Sequence, residues 1–167
     1  MKSVSPTLFK TILTLHIIVS VGLVGDSAGY LAVAIHGANI TDPLTAKASY
    51  QILQMLAFVF GIPLSFAALL TGLWLTFVTK WKLFRYPWIT TKFLLIISVI
   101  MVGGLVLKNG MDAMLNGTGG TKGRLIAGAA YDVVALTIAT ILAVFKPGGR
   151  WASKQPDKKE KTMSNDR

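Results

Sequence analysis

The chain has 167 residues, 53% of them hydrophobic and 14% charged, whereas an ordinary soluble domain carries about 25% charge. That composition, with a mean hydropathy of +0.59, excludes a water-soluble enzyme domain and leaves any chemistry to be done among lipid-embedded helices. Seventeen Lys and Arg against seven Asp and Glu give a net charge of +10, and the lack of cysteine excludes disulfides, thiolate metal sites, iron–sulfur clusters and cysteine nucleophiles.

A membrane-spanning helix needs about 20 predominantly apolar residues. Four stretches qualify, at about 8–35, 52–79, 89–107 and 125–145. They make residues 1–146 one transmembrane domain, an all-α, polytopic four-helix bundle. The first stretch, with Lys2, Lys10 and Ala32-Val33-Ala34, also fits a cleaved signal peptide. It runs past a typical signal core, however, and Asp26 interrupts it, so it is read as a retained span. Gly37 and Pro43 are the expected breakers of the first connection and Pro87 of the second. Gly110, Gly117, Gly119, Gly120 and Gly123 fill the third. Within the second span Gly61-Ile62-Pro63 predicts a kink, because proline removes a backbone donor; the kink either frames a cavity or serves ordinary packing, since transmembrane helices tolerate proline well. After Phe145 the chain turns to Pro147-Gly148-Gly149 and a Lys-rich tail, 147–167, whose composition predicts disorder and attraction to anionic lipid.

Positive charge in short loops favours the cytoplasmic side. The amino end, the second connection and the tail hold thirteen Lys and Arg, while the first and third connections hold four. Both termini are therefore expected in the cytoplasm. Trp74, Trp81, Trp88 and Trp151 fall near that side as an aromatic belt would. The basic charge thus reads as a lipid partner and not a nucleic acid. The expected location is the bacterial inner membrane, as a multi-pass protein.

An ionisable group at mid-bilayer costs roughly 2.5 to 3.5 kcal/mol on insertion scales, so it survives where it faces the bundle or a wet cavity. Asp26 and Asp132 lie at matching depths, roughly 10 to 14 Å below the same boundary at about 1.5 Å per residue. Gly22, Gly29 and Val33 share a face with Asp26, as Gly128, Ala135, Ala139 and Ala143 do with Asp132, at 100° per residue. Gly25 and Gly29 have the GxxxG spacing of close helix packing. Two acids sharing a site do not both carry charge cheaply, so a pair holds a proton or binds a cation between its members. Tyr30 and Tyr131 are the expected polar neighbours. The bland alternative has each acid bonded to a different helix, fixing packing only.

His16 is the one histidine well inside a span, and Lys92 lies on the same side near the start of the third. A lone histidine ligates a metal or haem iron, or simply bonds a neighbouring helix. His36 is about 30 Å further along the same helix and does not share a centre with it in one chain. Lys92 also fits a side chain that snorkels to the headgroups. The glycine-rich run 117–123 lacks the ending of a phosphate loop and follows no strand.

Leu15-His16-Ile17-Ile18, the step from Gly22 to Asp26, and Trp88-Ile89-Thr90-Thr91-Lys92-Phe93-Leu94-Leu95 carry a resemblance. The chain resembles a group of small bacterial inner-membrane proteins and, more distantly, copper-resistance D-type proteins and the HemJ-type protoporphyrinogen oxidase. The latter implies haem at His16 and Lys92. The chain departs from those relatives in Asp26, in its few histidines and, for copper, in having no Cys and only Met55 and Met101 within spans.

Three functions follow as expectations. The first is handling of protons, a cation or a small solute, or a permease accessory role, at Asp26, Asp132, Tyr30 and Tyr131, without catalysis. The second is a haem-bound redox protein using His16 with Lys92. The third is a structural or assembly subunit, as a homo-oligomer or with another membrane protein.

Overall fold

In the computed structural model, residues 4–79, 86–116 and 122–146 are described, and they are helical almost throughout. The elements are α1 (Pro6–Asn39), α2 (Pro43–Leu56), α3 (Ile62–Val78), α4 (Pro87–Val102), α5 (Lys108–Leu115) and α6 (Lys122–Phe145). One π-helical turn, Ala57–Gly61, joins α2 to α3, and another, Gly103–Leu107, joins α4 to α5. The result is an all-α bundle of four helices long and apolar enough to cross a membrane: Pro6–Asn39, Pro43–Val78, Pro87–Leu115 and Lys122–Phe145.

The spans are longer than the hydropathy predicts, for local reasons. Proline opens a helix well, because its missing N–H is one the first turn leaves unbonded anyway. Pro6, Pro43 and Pro87 all occupy such positions. Pro43 and Pro87 therefore start spans rather than break the chain. Ser5 Oγ accepts from the Leu8 amide at 3.2 Å, and Asp42 Oδ2 accepts from the Thr45 amide at 2.8 Å, satisfying orphan donors at two helix starts. Gly37 stays helical and lets α1 meet α2, since a Cβ there would lie 3.0 Å from Ser49 Cβ. Gly110 likewise remains in α5, against Leu125. Lys122 Nζ donates to the Ala38 carbonyl at 2.8 Å, tying the start of α6 to the end of α1. The Lys-rich tail, Trp81, Trp151 and the glycine run from Gly117 to Gly120 lie outside the described residues.

Two apolar clusters hold the bundle. Toward the end that carries the α1–α2 connection, Tyr30, Ala34, Tyr50, Leu53, Met111 and Leu125 pack together. Toward the other end, Val19, Leu23, Ala68, Val99, Ala135 and Leu136 do the same. Lipid tails are as apolar as these side chains, so their packing contributes through van der Waals contact and not through removal from water. Between the clusters lies a polar seam. Ser27 falls between Leu23 and Tyr30, Asp132 between Ala129 and Ala135, and Ser65 just before Ala68; all three are buried.

Candidate functional site

A cavity of about 380 Å³ opens at this seam. Asp26, Ser27 and Tyr30 reach it from α1, Ser65 from α3 and Asp132 from α6. Asp132 is 6% exposed and Tyr30 4%, while Asp26 is half-buried. Asp26 Oδ1, Asp132 Oδ1 and the Tyr30 hydroxyl have no hydrogen-bond partner among the described residues. Buried polar atoms are nearly always paired, because leaving one unmade costs about 1 to 3 kcal/mol or more. Three such atoms converging on one cavity mark a place built to hold something polar.

The helices supply the shape. In each of the two π-turns the backbone ladder slips by one residue: the Ile62 amide bonds to the Ala57 carbonyl and the Lys108 amide to the Gly103 carbonyl. Such turns recur at functional sites because they re-aim a helix face. Both turns line this cavity, through Ala57 and Gly61 on one side and Gly103 and Gly104 on the other. Gly61 lets the second span come close to Asp26, since a Cβ there would lie 3.2 Å from Asp26 Oδ2. The predicted kink around Gly61-Ile62-Pro63 is thus a wide turn ahead of the proline.

The remaining residues singled out by the sequence lie elsewhere. Tyr131 does not join the acids: it is 41% exposed and donates its hydroxyl to Ser98 Oγ at 2.7 Å, one helix position round from Asp132. Gly25 and Gly29 do not pack against another helix among the described residues, since nothing lies within 4 Å of a Cβ at either. The buried stripe of α1 runs instead through Val19, Leu23, Ser27, Tyr30 and Ala34, leaving Asp26 beside it at the cavity rim. Asp132 does sit on the expected face, with Gly128 and Ala135 buried beside it.

His16 and Lys92 line no part of the acid cavity. His16 Nδ1 lies 2.8 Å from Thr71 Oγ1, and Thr71 passes its single hydroxyl proton to the Ala67 carbonyl at 2.6 Å. The imidazole must therefore donate from Nδ1, which leaves the Nε2 lone pair free of that bond. The ring rests on Gly72, where a Cβ would approach Cε1 to 3.1 Å, and the Lys92 charge acts on it. His36 is exposed in the last turn of α1.

Sequence reasoning did not find Ser27, Ser65, Lys108 or the second π-turn. The adjacent Gly103 and Gly104 in mid-span were the available signal. Among the described residues, no group of three or more His, Cys, Asp or Glu comes together to hold a metal ion. Comparison with protein-family models, with curated proteins and with solved structures finds no match for this chain, so residue roles here rest on geometry.

Proposed function

We propose that the protein is a multi-pass protein of the bacterial inner membrane, with both termini cytoplasmic, that binds and passes a proton, a cation or a small solute at Asp26 and Asp132. The observation that carries this reading is the presence of Asp26, Asp132 and Tyr30 on one cavity, with Asp26 Oδ1, Asp132 Oδ1 and the Tyr30 hydroxyl all unpartnered among the described residues. Acceptor oxygens held in a low-dielectric seam bind a proton or cationic group far more strongly than the same oxygens in water. Tyr30 supplies a hydroxyl on the same lining, and Ser27 and Ser65 add further oxygens. The test is flux through proteoliposomes containing the full chain. The Asp26→Asn/Asp132→Asn variant keeps the shape and should abolish pH- or cation-dependent flux at unchanged expression. Unchanged flux overturns the reading.

A second reading attaches to His16, where the Nδ1 hydrogen bond presents Nε2 as a donor atom, the arrangement that orients ligating histidines. A haem held there would supply one-electron chemistry. A Soret band in the purified protein that disappears in His16→Ala supports it, and a colourless preparation overturns it.

A further inference from the structure

The walls of the acid cavity are not equally exposed. The lining residues from α1 and α6 are buried or half-buried: Leu23, Ser27, Tyr30, Ala129 and Asp132 are buried, and Asp26 is half-buried. The exposed ones all come from the second and third spans: Phe58, Ile62 and Phe66 on one, Gly104 and Lys108 on the other. The cavity therefore has a floor on the first and fourth spans and its opening between the second and third. That opening is edged by two phenylalanines and an isoleucine about 50% exposed, midway along Pro43–Val78, a helix long and apolar enough to cross a membrane. Gly104 widens it, since a Cβ there would meet nothing within 4 Å.

The chemistry of the interior narrows the occupant. A bare inorganic cation is held by about six to eight oxygens or keeps several waters, whereas this cavity is walled mainly by aliphatic and aromatic carbon, with its acceptors gathered at the floor. A volume of about 380 Å³ lies in the range of pockets for small organic molecules, about 300 to 1,000 Å³. The acceptors are carboxylates, which match a cationic or donating head. Among the described residues, Lys108 is the one basic residue on the lining; it is exposed, at the end of the opening nearer the α5–α6 connection, where its stem can carry the ammonium toward the headgroups.

We propose that the cavity takes a lipophilic organic cation, an ammonium head on an apolar body, from the bilayer through the opening between the second and third spans. The head docks between Asp26 and Asp132 and the body lies along Phe58, Ile62, Phe66 and Val99. This rests on the acid-pair reading and names its substrate class.

The experiment uses the full chain in nanodiscs of zwitterionic lipid, with protein-free nanodiscs subtracted for partitioning. Radiolabelled 4-phenylbutylammonium is the probe, and 4-phenylbutanol and 4-phenylbutyrate are the neutral and anionic comparators. The expected result is saturable binding in the order cation, alcohol, acid, weakened at least tenfold for the cation by Asp132→Asn. Gly104→Phe, which grows a side chain into the opening, should slow uptake and release at least tenfold. Phe66→Ala, which widens the opening, should speed both. Gly29→Phe, equally unhindered but off the cavity, should change nothing. Lys108→Gln should leave cation binding equal or tighter.

No saturable binding of the cation overturns the proposal. So does preference for 4-phenylbutyrate with loss on Lys108→Gln, which would assign an anionic head. Exchange rates indifferent to both Gly104→Phe and Phe66→Ala also overturn it. Inorganic-cation or proton flux that dies in Asp26→Asn/Asp132→Asn but ignores Gly104→Phe sinks this inference and leaves the acid-pair reading standing.

Discussion

Asp132 reaches the cavity because α6 lies hard against the second π-turn, and Gly128, one turn earlier on α6, sets that approach. A Cβ at Gly128 would lie 2.8 Å from Leu107 Cδ2 and 3.3 Å from Val106 Cγ1. Leu107 is 8% exposed, so its methyl has little room to swing away. Gly128→Ala should therefore force Leu107 off its rotamer or push α6 outward, at about 1 to 3 kcal/mol. The comparison is Gly104→Ala, in the same turn of the third span, where the new methyl meets nothing within 4 Å. Exchanging glycine for alanine in a helix gains at most about 1 kcal/mol from backbone propensity. That gain is common to both variants, and the clash belongs to one. Reversible unfolding in mixed micelles should place Gly128→Ala below Gly104→Ala by about 1 to 3 kcal/mol. Gly128→Val should fall further. Equal stability of the two alanine variants refutes the close approach of α6 to Leu107 and, with it, the positioning of Asp132.

Thr71→Val leaves the His16 Nδ1 donor without its partner and should cost about 1 kcal/mol, with nitrogen chemical shifts of the ring reporting loss of the single Nδ1–H tautomer. Asp42 caps α2 from outside the span, where bonds from the Thr45 hydroxyl and then the Thr45 amide hold its carboxyl below the usual aspartate range. A lowered folded value means the cap contributes above the ordinary aspartate range and fades as pH falls through the folded value. Hydrogen exchange at the Thr45 amide should accordingly be faster in Asp42→Ala at neutral pH, and the difference should vanish in acid. Tyr131→Phe removes an exposed bond to Ser98 and should cost no more than about 1.5 kcal/mol, with ligand binding in the acid cavity unchanged.

The four spans were legible because about 20 apolar residues in a row have few other fates. Their ends were not, because Pro43 and Pro87 read as breakers when taken alone and as first-turn residues once the helices are in place. Asp26 and Asp132 were legible as a pair from depth alone, since hydrocarbon penalises any isolated acid. Which neighbours they meet was not. The helical wheel turned Asp26 toward Gly22 and Gly29, but the buried face of α1 runs through Leu23, Tyr30 and Ala34, which leaves Gly29 open and Gly22 in ordinary contact with Leu64. Tyr131 sits beside Asp132 in sequence and 100° away on the helix, enough to take it out of the cavity. The opening between the second and third spans depends on two π-turns, and a one-residue slip in a hydrogen-bond ladder leaves little trace in composition beyond Gly61 and the Gly103-Gly104 pair.

The decisive measurement is a double-mutant cycle on unfolding free energy with Asp26→Asn, Asp132→Asn and the combined variant. Groups that share surroundings depart from additivity by about 0.5 to 3 kcal/mol, and independent ones add to within about 0.5 kcal/mol. Two carboxylates on one cavity predict a coupling in the first range, whereas strict additivity would mean that each acid answers to its own helix and that the common chamber does not exist.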